Sequence, residues 1–444
     1  MDMLTRADTP APPLAADRQF RWQMLGGFMS MCGRQLTLSA LPWLVLALTS
    51  NSVALGLAIA ALELPRAAFT LVGGALVDRH SPKWILQRST LASAALLAGL
   101  GVLAVGGAIR IEGLYLLAFA MGTVGAFSGP AAASLVPQTV PRERLQTALA
   151  IFMSLAQAAT FLGPLMTGAL LVLPRLDLSA LGIRHGSGAG TGGLGLAFLF
   201  NAFTYLLAAL TLTRVVRFIG APAAVPGASA ATGTAPTRRG MFAAIAEGAA
   251  WISAERALRS LYGYWALSIF LRAGALQIGI PLLVTTQLHR DAATGATLMS
   301  LLGAGSIAGM LLSTRLSRLS RLSRLSAGRL LFHVDLLVGA ILAGFAAVGS
   351  PAAAGALLLL LGFAAGVVEV RLLAWIQARI PGEMRGRVMS FQMLLLTSAA
   401  PLSSILAGLF IHYVSTASLF VGAGAGLVLV ALAAIASPML RSMD

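Results

Sequence analysis

Apolar runs of about 20 residues, each ended by a short cluster of charged and turn-forming residues, recur along the whole chain. They predict membrane spans at 23–48, 52–77, 84–108, 113–136, 146–172 and 194–216, then at 260–286, 292–314, 329–349, 353–378, 388–413 and 417–439. The stretch between the two sets has a different texture. There Pro222, Pro226, Gly227, Gly233 and Pro236 sit among Ala, Ser and Thr, ahead of Arg238 and Arg239. The expected organisation is an N-terminal arm over 1–22, a six-helix bundle over 23–216, a linker over 217–256 and a second six-helix bundle over 257–444. Phe242, Ile245, Ala249 and Ile252 recur at helical spacing, which predicts an interfacial helix leading into the seventh span.

Composition agrees with a chain that lives mostly in lipid. Of 444 residues 58% are hydrophobic and 10% charged, against about 45–50% and about 25% in a soluble domain. Intrinsic disorder, which needs low hydrophobicity, is excluded. Cys32 is the single cysteine, so an intramolecular disulfide is excluded too. The net charge of +16 would suggest nucleic acid in a soluble protein, but here the cations lie between apolar runs. Of the 31 Lys and Arg, Arg34, Arg66, Arg272 and Arg371 fall inside spans, and Arg110, Arg175, Arg184 and Arg290 on one side of the membrane; the rest fall on the other. The positive-inside rule makes that crowded side cytoplasmic and puts both termini there. Residues 1–20 carry Asp2, Arg6, Asp8, Asp17 and Arg18 around three prolines, so no cleavable signal is expected.

The two halves resemble each other. Pro141-Arg142-Glu143-Arg144 precedes the fifth span as Pro381-Gly382-Glu383-Met384 precedes the eleventh, and Gly168 and Gly408 stand at the same offset of 240. Gly73 through Arg79 aligns with Gly309 through Arg315, and Arg34 with its downstream Pro42 aligns with Arg272 and Pro281. Matches in the same order between corresponding spans predict an internal duplication about an axis along the membrane normal.

After the second span the chain reads Gly73-Gly74-Ala75-Leu76-Val77-Asp78-Arg79-His80-Ser81-Pro82-Lys83. A G-x-x-x-D-R-x-x-x-K pattern there, in a twelve-span chain, resembles the signature loop of the major facilitator superfamily. The resemblance implies that Gly74, Asp78, Arg79 and Lys83 form a gating latch on the cytoplasmic side. Gly163-Pro164-Leu165-Met166-Thr167-Gly168 in the fifth span is similar to the G-P-x-x-G-G element of the family's exporters, with Gly163, Pro164 and Gly168 as packing positions and Thr167 in place of one glycine. Ala40-Leu41-Pro42-Trp43, Leu64-Pro65-Arg66, Phe200-Asn201-Ala202-Phe203 and Arg385-Gly386-Arg387-Val388 look like the bacterial branch of siderophore exporters and macrolide efflux proteins. The implied fold is all-α, integral to the membrane, with twelve helices in two pseudo-symmetric six-helix bundles around a central cavity. The implied location is the bacterial inner membrane.

Charges inside spans are costly and usually face an interior or a wet cavity. Those placed deepest are Arg34, Glu63, Arg66, Arg272, Glu369 and Arg371. In the resembling fold the first, fourth, seventh and tenth spans line the cavity, which would bring Arg34 and Arg272 face to face, with Arg371 also at hand, to grip an anionic or oxygen-rich substrate. Glu63 and Arg66, three apart, share one helical face. Glu63 and Glu369 are the candidate proton-coupling groups, with Arg272 a possible partner of Glu369.

The remaining signals are negative or bland. Histidines show no metal-ligand spacing, so no metal is expected. Four Arg-Leu-Ser triplets from Arg315 to Ser326 read as a tandem expansion of a loop, whose arginines can touch anionic lipid. No phosphate-binding G-x-x-x-x-G-K-[ST] loop and no catalytic set occur, so neither ATP use, a cofactor nor enzyme activity is expected. The expected function is export of a small amphipathic, anionic molecule, a siderophore first, by alternating access with proton antiport, from a monomer. Macrolide or multidrug efflux, or lysophospholipid flipping, are the alternatives.

Overall fold

The computed structural model describes residues 14–172, 191–216, 238–319, 327–381 and 384–436. Most of the N-terminal arm, the linker over 217–237, the loop with Arg175, Arg184 and His185, and the Arg-Leu-Ser repeats over 320–326 lie outside the described residues.

Twelve long helical segments stand among the described residues; eleven are long and apolar enough to cross a membrane, and the twelfth has a shorter apolar stretch, Ser398–Tyr413. The first half holds α1 (Arg18–Thr49), α2 (Ser52–Arg79), α3 (Pro82–Val105), α4 (Ile111–Thr139), α5 (Leu145–Val172) and α6 (Thr191–Thr213). A shorter helix, α7 (Arg238–Ala254), leads into the seventh span. That span is α8 (Arg256–Gly274) continued by a π-helical turn Ala275–Gly279, the short α9 (Ile280–Leu282) and a second π-helical turn Leu283–Gln287. The two wide turns flank Pro281, which has no N–H to give an α-helical ladder. Then come α10 (Ala292–Leu319), α11 (Ala327–Gly344), α12 (Pro351–Arg379), α13 (Arg385–Tyr413) and α14 (Thr416–Ala436).

Polar residues mark the helix ends where the apolar pattern stops. Asp17 caps α1, accepting from the backbone N–H of Gln19 at 2.8 Å, and Asn51 caps α2, accepting from Val53 at 2.8 Å. Pro82 opens α3, where its missing N–H costs nothing. The Asp78-Arg79 pair therefore belongs to the last turn of α2, and only His80 and Ser81 separate α2 from α3. What reads as a loop in the sequence is mostly helix.

One packing scheme occurs twice. In the first half α2 packs on α4, α3 on α6, and α1 on α5 and α6; in the second α10 packs on α12, α11 on α14, and α8 on α13 and α14. The duplication extends to single residues. A Cβ at Gly122 would overlap the carbonyl oxygen of Leu62, and one at Gly362 would overlap that of Leu302, each residue 240 positions from its counterpart. Close backbone approach of this kind is how helices associate where lipid offers no hydrophobic drive between them.

The halves meet along two equivalent seams, α2 on α13 and α5 on α10. Gly303 of α10 abuts Phe161 of α5 near mid-helix, and further close contacts lie toward the end of the bundle away from the chain termini. Gly56 abuts Ser404, Gly408 abuts Ser52, and the Trp43 ring of α1 fills the space over Gly295 of α10. At the opposite end α7 lies against α13, and Glu255, just after it, pairs with Arg379 of α12 at 3.7 Å. The Arg379 guanidinium also stacks 4.4 Å from the Trp375 ring centroid.

Candidate functional site

Asn201 of α6 is fully buried and ties α6 to α1. Its side-chain amide donates to the Gly33 carbonyl at 2.9 Å and to the Thr37 hydroxyl at 2.7 Å. A Cβ on Gly33 would stand 2.5 Å from the Asn201 carbonyl oxygen and 2.6 Å from the Tyr205 ring, so only glycine admits this approach. The turn anchored in this way carries the next residue, Arg34, into a cavity of about 340 Å³.

This cavity is lined by residues of α1 through α6, all in the N-terminal half. Its wall is apolar and small-hydroxyl, with Met31, Leu97, Met121, Thr90 and Ser128 among its lining. The charged exception is one cluster. Glu63 Oε1 lies 3.7 Å from Arg66 Nη1, one helical turn away on α2, and 3.9 Å from Arg34 Nη1 on α1. That oxygen is buried and makes no hydrogen bond within the protein, so two guanidiniums share one carboxylate without satisfying it. The patch carries one net positive charge, with the Arg34 side chain 43% exposed, which is an arrangement able to take a further anion.

Neither Arg272, Glu369 nor Arg371 lines that cavity. Among the described residues Arg272 makes no ion pair within 4.0 Å, and Glu369 of α12 is exposed. Arg371 is partly buried on α12.

A further acid, Asp335 of α11, escaped the sequence reading. It is 2% exposed and accepts hydrogen bonds from Tyr264 at 2.7 Å and Ser268 at 2.9 Å. The signal was present, since a lone acid about two turns inside an apolar span is itself a site marker. Its two partners, spaced i and i+4 on α8, carry no charge to draw notice.

At the foot of α2 the close approach falls on Gly73, where a Cβ would stand 2.6 Å from the Ala126 carbonyl oxygen of α4. A Cβ at Gly74 would meet nothing within 4 Å. The side chains of Asp78 and Arg79 lie outside those described. Lys83, in the first turn of α3, donates to the Val215 carbonyl at 2.7 Å, just beyond α6. On α5, a Cβ at Gly163 would overlap the Gln35 side chain of α1, whereas Gly168 makes ordinary contact, 3.5 Å to Ala296 of α10. Thr167 is fully buried and bonds its hydroxyl back to the Gly163 carbonyl at 3.1 Å, so it fits among the glycines without a polar group left open. Among the described residues no group of three or more His, Cys, Asp or Glu could hold a metal ion.

Two six-helix bundles packed by one scheme and joined along equivalent seams, with a charged cavity inside the first, have the architecture of a membrane transporter. Residues 24–404 match the Major Facilitator Superfamily, and the chain belongs to that family. Among solved structures it is similar to the nucleoside transporter NupG (TM-score 0.66, 13% identity, covering 94% of this chain and 98% of that one). It is also similar to a bacterial homologue of the iron transporter ferroportin in an inward-facing state (TM-score 0.65, 16% identity, 96% and 99%). A third is a bacterial homologue of the human lysosomal transporter Spinster, inward-facing and unoccupied (TM-score 0.63, 17% identity, 96% of each chain). At these identities the likeness establishes the fold. No curated protein matches the sequence. The chain is a transporter, not an enzyme.

Proposed function

We propose that this transporter exports a small, amphipathic, anionic molecule across the bacterial inner membrane, with both termini cytoplasmic, in exchange for protons. The observation that carries this reading is the 2:1 ratio of guanidinium to carboxylate at Arg34, Arg66 and Glu63 in an otherwise apolar wall. A cationic drug would be repelled there, while carboxylate, catecholate or hydroxamate oxygens match the planar fork of arginine. A siderophore combines those oxygens with enough apolar surface for the rest of the wall, and is the foremost candidate. The close seams away from the termini support alternating access in which the cavity is reached from the cytoplasmic side. Gly74, Asp78, Arg79 and Lys83 would latch that side in the opposite state. Arg272 and Arg371 would meet cargo along the path through the second half, and Glu369 and Glu63 would exchange protons.

The test is secretion of iron chelator under iron starvation by a deletion strain complemented with wild type, Arg34→Ala or Arg272→Ala, each verified in the membrane. Secretion should fall at least tenfold in both variants. Undiminished secretion in both, or a deletion strain that secretes normally, would refute the reading.

A further inference from the structure

The glycines of α4 are not all there for the same reason. A Cβ at Gly122 would overlap the Leu62 carbonyl oxygen, so packing against α2 demands glycine at that position. Gly125 and Gly129 are under no such demand. A Cβ at Gly129 would meet nothing within 4 Å, and one at Gly125 would reach only the Arg66 side chain, at 4.0 Å. Both line the arginine cavity, as does Gly27 of α1, where a Cβ would come no nearer than 3.9 Å to the Phe152 ring of α5. Glycine is the poorest helix former after proline. At these three places it leaves room that no side chain of the protein fills.

Gly125, Ser128, Gly129 and Ala132 follow one another at i, i+3, i+4 and i+7, hence on one face of α4, and all four line the cavity. That face is nearly bare backbone for two turns, about 10 Å. At Gly125 it adjoins Arg66, which shares the Glu63 carboxylate with Arg34. Ser128 is the one polar side chain on it. The Ser89 hydroxyl gives its proton to the Leu86 carbonyl at 3.0 Å, so Ser128 is the donor in the 3.0 Å bond between the two hydroxyls. Ser128 Oγ thus has lone pairs to offer the cavity and no proton. Gln23 of α1, in the same cavity lining, is 5% exposed; its Oε1 accepts from Thr139 at 2.6 Å and its Nε2 has no partner within the protein. An unfilled strip and an open buried amide both point to a bound molecule in the place of protein atoms.

We propose that Gly125 and Gly129, with Ser128 between them, are specificity-determining residues that seat the body of the cargo against bare backbone beside its anionic group. The cargo that fits is an acid with a ring joined directly to its carboxylate and a ring hydroxyl that donates to Ser128. A ring covers the strip in one piece, whereas a thin linear acid leaves most of it to water. At about 340 Å³ the cavity is at the small end of ligand sites, which span about 300–1,000 Å³, so it takes one such ring unit at a time. The inference rests on the anionic-cargo reading for where the carboxylate sits, and the test separates the two.

The purified full chain is titrated calorimetrically with benzoate, 3-hydroxybenzoate and the linear acid of equal carbon number, heptanoate. Wild type should bind benzoate about tenfold more tightly than heptanoate, and 3-hydroxybenzoate about threefold more tightly again. Gly129→Leu fills the strip and should weaken both ring acids about tenfold or more while leaving heptanoate unchanged. Because no neighbour opposes a side chain there, its melting temperature should be no lower than that of wild type. Gly129→Ala should act in the same direction with a smaller effect. Ser128→Ala should erase the preference for 3-hydroxybenzoate and keep benzoate affinity, and Arg34→Ala should weaken all three acids alike. Equal binding of benzoate and heptanoate by wild type, ring-acid binding unmoved by Gly129→Leu, or a destabilised Gly129→Leu chain would each overturn the proposal, as would no binding of any of the three acids. Ring acids excluded by Gly129→Leu but unaffected by Arg34→Ala would refute the anionic-cargo reading while upholding the seat on α4.

Discussion

The Ser52 hydroxyl, at the start of α2, donates to the Gly408 carbonyl of α13 at 2.9 Å, and a Cβ on Gly408 would stand 2.5 Å from the Ser52 carbonyl oxygen. This contact joins residues 356 apart in sequence and is one of the points where the halves close on each other. Its equivalent in the other seam, Gly168 against α10, is looser. A bulky side chain at Gly408 should therefore wedge the α2–α13 seam apart. With spin labels at the exposed Ser50 and Tyr413, Gly408→Leu is expected to lengthen the inter-label distance and to lower transport at least tenfold. An unchanged distance distribution would show that the seam tolerates the wedge.

Asn201→Ala removes the two buried hydrogen bonds that tie α6 to α1, while the Thr37 hydroxyl still donates to the Gly33 carbonyl at 3.2 Å. Each such bond contributes about 0.5–1.5 kcal/mol. Reversible unfolding in mixed micelles should show a loss of that size, and because the anchored turn carries Arg34, anion binding should weaken alongside. A variant as stable as wild type would contradict the anchoring role.

Glu63→Gln removes the one negative charge between Arg34 and Arg66. The local charge rises from one positive to two, so an anionic cargo should bind more tightly at low salt, with the gain shrinking as salt is raised. Arg66→Ala should have the opposite sign. Quenching of intrinsic tryptophan fluorescence by a catecholate chelator, followed against ionic strength, reads both. Weaker binding in Glu63→Gln would mean that the carboxylate itself contacts cargo.

Lys83→Ala should release α3 from the segment after α6, since its ammonium bonds the Val215 carbonyl there. Its ammonium also lies near the C-terminal, negative end of α6. The expected loss is about 0.5–1.5 kcal/mol, with Lys83→Arg retaining most of it. Thermal unfolding of both variants, compared with their transport rates, separates a stability role from gating.

Fold and site differed in how far they could be read from residues alone. The spans were legible because crossing the bilayer demands about 20 apolar residues with every backbone group bonded inside the helix, a requirement no tertiary contact relaxes. Gly168 and Gly408 match at an offset of 240 in the sequence, yet only Gly408 makes a close backbone approach. The sequence pointed to Gly74, yet Gly73 is the glycine against α4, a rotation of one position that spacing does not reveal. The ion pair of Glu63 with Arg66 followed from their i, i+3 spacing, but Arg34 as the second claimant on that carboxylate did not. Asp335 drew no attention because its partners are hydroxyls from another helix.

By itself the sequence predicted an all-helical membrane protein in two related halves, with a handful of charges set inside the spans. Tertiary structure decided which of those charges meet. In a soluble helix the apolar stripe tells which face turns inward, but a helix with lipid on one side and protein on the other is apolar all round, so its rotation is not written in its hydrophobic pattern. The rotation comes from close packing of glycines against carbonyls. That packing placed Arg34 and Arg66 on one carboxylate in the first half, and Asp335 under two hydroxyls in the second.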